Sequence, residues 1–577
     1  SLHDALPILS MSVKSAALAA LSSAYADLGI ESAPTIARAT KPEFGDLQCN
    51  DMMRLARSLG KNPRDLAASV VERSAGSMFA HVSVAGPGFV NFKLTDEAIA
   101  AEATKMLSDP ALGAEKVPAL RTVIDFGGPN VAKALHVGHL RSFVIGESLR
   151  RILIEVGHEV VSDIHLGDWG LQMGKLLLGL ARASGWGTGD PAMFIDPAAC
   201  EGMSIDALGT IYKDGNTLCD DEDMLAVARD LTSRLQDGES VLAETWKRMR
   251  DISLEAITAT ADQLGAHFDL FLGESDADRE VGPMLEDLVG RGLARESEGA
   301  LVIDVSGEGL PSNAPPLLLQ KSDGAALYGT TDLATLRQRV RDMGAQQIVY
   351  CTDDRQSLHI GSVFSAARTA GYAEGVELHH VMFGTVRAAD GKPFKTREGM
   401  PATLESMLDT TLSKAAEKVT DAAAAQVVGI GALKFADLST PRKTGYVFDI
   451  DKMTSFEGRT GPYLQYAYAR ICSILDKAAA LGIEPASSVS ISHPSERAAI
   501  MECLWYPHSL SEAVRQLEPF EIAERAYQVA DAFSRFYADC PVLTDTDAAG
   551  RLATCKLVVE VIGKCLALLG MDAIRRM

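Results

Sequence analysis

The stretch from Arg121 to Asp168, "RTVIDFGGPNVAKALHVGHLRSFVIGESLRRILIEVGHEVVSDIHLGD", most limits what this chain can become. "RTVIDFG" is a short apolar run closed by glycine, the pattern of a buried strand. A Gly-Gly-Pro-Asn turn follows, then a long segment with helical spacing, then a second strand in "HEVVSDIHLGD". Strand, helix and strand in that order make one βαβ unit, the building block of a parallel sheet. The alternation resumes in "QQIVYCTDD", "VFSAARTAGY" and "LHHVMFGTV", so a Rossmann-type α/β domain is expected over 118–424. The interval from about 184 to 240 is more polar and has no clear strand signal, and reads as a helical connective insertion.

On either side the texture differs. Residues 11–115 read as a small α+β domain. "NDMMRLARSLGKNPRDLAASVVERS" has helical spacing broken at Asn62-Pro63, and "HVSVAGPGFVNFKL" reads as two strands about a Gly-Pro-Gly turn. "TDEAIAAEATKMLSD" is a helix capped by its threonine. From 425 to 577 the strand signals vanish and every periodic segment is helical, which predicts an all-α C-terminal domain. A length of 577 residues accommodates this organisation. Ser1 to Ile8, "SLHDALPI", are what a common sequencing-adapter DNA encodes, so 1–10 read as an artefact and Met11 as the start; a natural disordered tail is the alternative.

No run of about 18 apolar residues appears, so a membrane span is not expected. Nine scattered cysteines without a CxxC pair point to a reduced, cytoplasmic chain with neither a disulfide framework nor a zinc knuckle. The net charge of −22 disfavours indiscriminate nucleic-acid binding but permits a local basic groove.

The turn after the first strand carries the chemistry. A glycine-rich strand-to-helix turn brings backbone N–H groups and a helix N-terminus toward anions. Gly127 and Gly128 permit close backbone approach, and Lys133 precedes His136 and His139, which share one face of the first helical turns. The helix dipole lowers the pKa of such histidines, and neutral imidazoles donate hydrogen bonds to phosphate oxygens. The bland alternative is polar residues at a helix start. Zinc is a further rival, but zinc helices favour histidines at i and i+4 with a glutamate between, and neither holds here.

"GGPNVAKALHVGHLRS" resembles the HIGH signature region of class I aminoacyl-tRNA synthetases, and in its longer form that of arginyl-tRNA synthetases. The resemblance continues in "HLGDWGLQMGKL", "YGTTDLATL", "DDRQSLH", "HHVMFGTVRAADGKPFKTREG" and "ALKFADLSTPRKTGYVFDIDKMTSFEGRTGPYLQYAYARICSIL", and covers almost the whole chain from Met11. It implies an arginine–tRNA ligase that joins L-arginine to AMP and transfers it to the 3′ end of tRNA(Arg). ATP with Mg2+ would be a substrate, with no tightly bound cofactor and no protein-ligated metal. A cytoplasmic monomer is implied, with tRNA needed before the amino acid is activated. The N-terminal domain would touch the tRNA and the helical C-terminal domain would bind the anticodon.

The same resemblance implies roles. His136 and His139 would stabilise charge on the reacting phosphate, and Gly138 would leave room for the nucleotide. "FKTREG" stands where the family's KMSKS loop belongs, so Lys395, Thr396 and Arg397 would close over ATP, and Phe383 would contact it. Lys133 would replace the lysine that this loop lacks. Tyr328 and Asp332, four apart, would meet the substrate guanidinium, with Glu274 as a further carboxylate. Asp125 and Asn130 would face its α-amino and carboxylate region, and Gln356 would add a contact. Taken singly, each carboxylate is more commonly a cap or a surface charge. Gly127-Gly128 replaces the family's Ser-Ser, which is expected to loosen or reshape the turn. Tyr463, Tyr466, Arg470 and Tyr537 are candidates for tRNA, alongside Tyr468, Phe536, Arg459 and Lys452; most of these aromatics are expected in the helix core. A synthetase for another amino acid and a non-catalytic tRNA-binding paralogue are the competing readings.

Overall fold

A computed structural model describes residues 12–307, 309–321, 328–387, 403–544 and 546–577. The chain forms two compact units: residues 118–454, and the residues up to Val117 together with those from Ser455 onward.

The unit 118–454 is built on a four-stranded parallel sheet, in spatial order Glu377–His380, Gln347–Cys351, Arg121–Phe126, Glu159–Asp163. The strands Arg121–Phe126 and Gln347–Cys351 are central and nearly wholly buried, hence their continuous apolar runs. From the first of them the chain crosses to one edge, and from the second to the other. The crossovers therefore diverge between these two strands, and the crevice at their carboxyl ends is where an open α/β sheet binds ligands. Residues 125–128 and 351–354 border that crevice. The helix Val137–Glu155, hereafter the site helix, joins the first crossover.

Within 184–240 lie the helices Ile205–Leu218 and Glu222–Gln236, which pack with Ser240–Gln263 on Leu171–Ala183 around their own apolar core. An antiparallel sheet of Ala294–Ser297, Ala300–Ile303 and Leu317–Gln320 was not expected from the sequence. Its first hairpin turns at Glu298-Gly299, both at positive φ, a two-residue turn that "SEGA" does carry.

Residues 425–454 do not join the C-terminal domain as expected. The helix Ala422–Leu438 lies in the unit 118–454, packed on the site helix, and its Asp437 forms a buried ion pair with Arg141 at 3.2 Å. Helical periodicity reports a buried face but not the body that buries it.

In the other unit, an antiparallel sheet runs Ala37–Arg38, Leu47–Cys49, Phe89–Leu94, Phe79–Ala85. Asn62 caps the helix Pro63–Arg73, and Thr95 caps Asp96–Ser108. Among the described residues, five helices from Gly461 to Leu568 make up the C-terminal part, and Pro494–Leu504 packs against Asp96–Ser108. Arg497 joins the two parts through Asp46 at 2.7 Å and Asp96 at 2.7 Å. Glu502 accepts from Arg525 at 2.6 Å and also from Arg38.

Candidate active site

Gly127 and Gly128 have φ of 94° and 54°, in the left-handed region where a side chain strains the backbone. A Cβ on Gly127 would also lie 3.0 Å from Ile164. Gly127 N–H donates to Ser142 Oγ at 2.7 Å, and that hydroxyl donates to Cys351 O at 2.7 Å, so turn, site helix and neighbouring strand are stitched together. Gly128 N–H reaches Ile164 O. Beyond the turn, Asn130 Oδ1 accepts from Gln172 at 3.3 Å. Ala132, at φ 59°, donates its N–H to Ser253 Oγ at 3.0 Å.

His136 is the N-cap of the site helix rather than a member of its first turn. Its Nδ1 accepts from Gly138 N–H at 3.0 Å, while His139 Nδ1 accepts from His136 N–H at 2.9 Å. With both Nδ1 atoms accepting, each neutral ring carries its proton on Nε2, leaving two N–H donors free of the backbone. The rings stack with centroids 3.9 Å apart. Burial lowers both pKa values, His139 to about 3 with the neighbouring His136 adding, so desolvation keeps the rings neutral. A Cβ on Gly138 would lie 2.8 Å from the His136 ring, so this glycine makes room first for the imidazole itself.

Lys133 emerges from the pinned Ala132 and sets its ammonium 4.6 Å from the ring centre of Tyr212, in the insertion helix Ile205–Leu218. No reading of the sequence selected Tyr212, because nothing local ties the insertion to the turn.

At the carboxyl ends of the first two strands, Asp125 and Asp163 stand side by side and share the guanidinium of Arg339, at 2.6 and 2.7 Å. Arg339 is fully buried. His165 adds an imidazole 3.8 Å from Asp163, and its pKa rises to about 9 because Asp163 and Asp125 outweigh the effect of burial. Asp125, Asp163 and His165 come close enough together to hold a cation. Arg339 already bridges the two carboxylates, so the cluster carries its own positive charge. Asp125, expected to face the substrate, is therefore braced from behind by an arginine that the sequence reading passed over.

Asp332 lies on the helix Tyr328–Arg341, as the spacing required, and receives His359 Nε2 at 2.5 Å. Glu274 opens the helix Glu274–Gly290 and is buried; burial, with Asp332 adding, pushes its pKa up to about 8. Gln356 ends a short turn of helix just ahead of the helix Ser357–Thr369, and is exposed. Phe383 is buried beneath the Arg141 guanidinium, 5.8 Å away, and is a core residue rather than an open contact for ATP. Lys395, Thr396, Arg397 and the side chain of Tyr328 lie outside the described residues.

In the other unit, the guanidinium of Arg470 sits between Tyr466 and Tyr537, 5.0 and 5.2 Å from the ring centres. These three line a groove of about 610 Å³ with Lys477, Arg575 and Arg576. Tyr463 is not part of it: its hydroxyl meets Ser534 at 2.9 Å and ties two helices together. Phe536 is core, and Arg459 is engaged by Glu524 and the rings of Phe520 and Tyr527.

A parallel sheet with a glycine turn at its reversal and a His-Val-Gly-His helix start defines a class I aminoacyl-tRNA synthetase catalytic domain. Residues 102–450 match the family model described as tRNA synthetases class I (R), catalytic domain. Residues 11–94 match the arginyl tRNA synthetase N terminal domain, and residues 464–577 the DALR anticodon binding domain. The chain is 39% identical over 561 residues to the arginine–tRNA ligase of Maricaulis maris, covering 93% of this chain and 94% of that protein. Its fold is similar to that of the arginyl-tRNA synthetase of Plasmodium falciparum, with a TM-score of 0.83 at 22% identity over 99% of this chain and 100% of that one. The Thermus thermophilus arginyl-tRNA synthetase gives 0.79 at 26% identity, over 98% of this chain and 100% of that one. The chain belongs to the arginyl-tRNA synthetase family.

Proposed function

We propose that the chain is an arginine–tRNA ligase, activating L-arginine with ATP and passing it to the 3′ end of tRNA(Arg), with the residues gathered at the sheet's switch point as its active site. The observation that carries this reading is the stacked, backbone-anchored pair His136 and His139, which present Nε2–H donors at the N-terminus of the site helix. Attack of the arginine carboxylate on the α-phosphate of ATP builds negative charge on phosphate oxygens. Fixed donors in a desolvated site stabilise that charge without reorganising. Neutral rings are suited to this, since they need no proton from solvent to act.

Lys133 supplies the positive charge for the triphosphate, released from its resting place on Tyr212. Mg2+ would accompany ATP. Asp332 and Glu274 receive the guanidinium, Asn130 and Asp125 belong to the α-amino and carboxylate region, and Gln356 flanks them. Tyr466, Arg470 and Tyr537 offer stacking faces to single-stranded bases, and the neighbouring basic side chains suit phosphates. Among the described residues no helix is long and apolar enough to cross a membrane. A cytoplasmic monomer that needs tRNA before it activates arginine is the working form of the proposal.

Aminoacylation of total tRNA with each amino acid in turn tests it. Arginine charging is expected. Charging by a different amino acid selects another synthetase, and tRNA binding without charging a non-catalytic paralogue. Arginine-dependent ATP–pyrophosphate exchange equally fast without tRNA would remove the tRNA requirement.

A further inference from the structure

The Asp332 carboxylate, assigned above to the substrate guanidinium, already has a partner within the protein. His359 holds it through Nε2 at 2.5 Å, reaching across from the helix Ser357–Thr369 to the helix Tyr328–Arg341. Both side chains are partly exposed, 35% for His359 and 22% for Asp332, so the pair is reachable from solvent rather than sealed in the core. An imidazolium and a guanidinium are both planar cations that donate N–H to a carboxylate. A carboxylate already satisfied by one is a poorer partner for the other.

We propose that His359 is the internal cation of the guanidinium subsite, holding Asp332 until arginine arrives and giving it up to arginine as its own proton leaves for solvent. This rests on the assignment of Asp332 to the substrate. The charges around the pair fit an exchange of one cation for another. Glu274 faces Asp332 from the helix Glu274–Gly290, and Tyr350 does so from the central strand; His165 faces Glu274 from beyond the strand Glu159–Asp163. The hydrogen bond to Asp332 raises the His359 pKa, so the imidazolium persists to higher pH than a free histidine allows. The sign follows from linkage: arginine binds the form with neutral His359, so protons compete with arginine. The Michaelis constant for arginine then rises as pH falls through the His359 titration, by tenfold for each unit below it. Glu274 works in the same direction, because an incoming cation favours its ionised form, and its limb has to be separated.

The experiment is ATP–pyrophosphate exchange with tRNA present, titrating L-arginine from pH 5.5 to 9 in the full chain and in the His359→Gln, Glu274→Gln and Asp332→Asn variants. Thermal melts verify folding. Wild-type KM for arginine is expected to climb about tenfold per unit below the first of the two titrations and more steeply below both, while kcat varies less. In His359→Gln that climb should vanish, leaving only the limb that Glu274→Gln removes. An unchanged acid limb in His359→Gln overturns the proposal. So does a KM raised equally at every pH, since that means His359 orients Asp332 while arginine is bound. If Asp332→Asn leaves KM for arginine untouched, the assignment of Asp332 itself has failed. If His359→Gln does not fold, His359→Asn and a pH titration of the His359 ring by NMR with and without saturating arginine decide: its pKa must fall when arginine binds, and a constant pKa overturns the idea.

Discussion

At the scale of single residues, the site is a set of side chains held by backbone. His136 and His139 owe their usefulness to main-chain N–H groups that fix which ring nitrogen bears the proton. With His139 at about pKa 3, its protonation plays no part near neutrality. The rate of the activation step at saturating arginine should therefore show no acid limb from this ring above about pH 5; a pH–rate profile compared with His139→Asn checks this, and a limb lost in that variant would contradict it. Lys133→Ala should slow arginine activation on the order of 100-fold or more, the usual cost of removing one charge-stabilising donor. Pyrophosphate exchange measures it, with circular dichroism showing the fold retained. Lysine and both histidines were legible because they crowd into one short stretch. Tyr212, the partner of Lys133, and Ser253, which holds the Ala132 N–H, were not, being brought to the turn by distant helices whose packing leaves no mark in local sequence.

At the scale of elements, periodicity told strand from helix well wherever a cap or turn residue stood at the boundary, as at Asn62-Pro63 and Thr95. It failed where the boundary was one of allegiance. The helix Ala422–Leu438 has the same apolar spacing as the helices after Ser455, yet its Asp437 belongs to Arg141. The roles read for Asp125 and Glu274 depended on distant elements in the same way. Asp125 is defined by Arg339 on a helix more than 200 residues away, and Glu274 by burial at the start of its helix. That burial has a thermodynamic sign. The Glu274 pKa is about 8 folded against 4.5 for the free side chain, so between these values the folded state keeps a proton that the unfolded state has lost. Its contribution to stability is thus fullest below about pH 4.5 and is lost as pH rises through 8. Glu274→Gln should cancel that loss and stabilise the helix Glu274–Gly290 at pH 8.5 by about 1–3 kcal/mol relative to pH 5. Hydrogen exchange in that helix at the two pH values reports it; equal protection in both variants would refute the burial argument.

At the scale of the whole molecule, composition was the weakest guide. A net charge of −22 concealed a groove in which Arg470, Lys477, Arg575 and Arg576 gather beside two tyrosines. Nor did composition announce that the first and last parts of the chain make a single unit. Arg497 ties the two parts together; without it Asp46 keeps Lys93 and the Leu94 N–H, and Asp96 is exposed to solvent. Arg497→Ala should cost this unit about 1–3 kcal/mol, read as earlier urea unfolding by hydrogen exchange in the helix Pro494–Leu504, with the protection of the parallel sheet in residues 118–454 unaltered.

The interleaving also sets an order of events at the ribosome. The segment up to Val117 emerges first, yet the helix that covers its Asp96–Ser108 face is encoded beyond the entire intervening unit. At roughly 10 residues per second the early segment waits on the order of half a minute with that face bare. Half of one folding unit is thus made long before its other half exists, and nascent-chain chaperones have that interval in which to hold it.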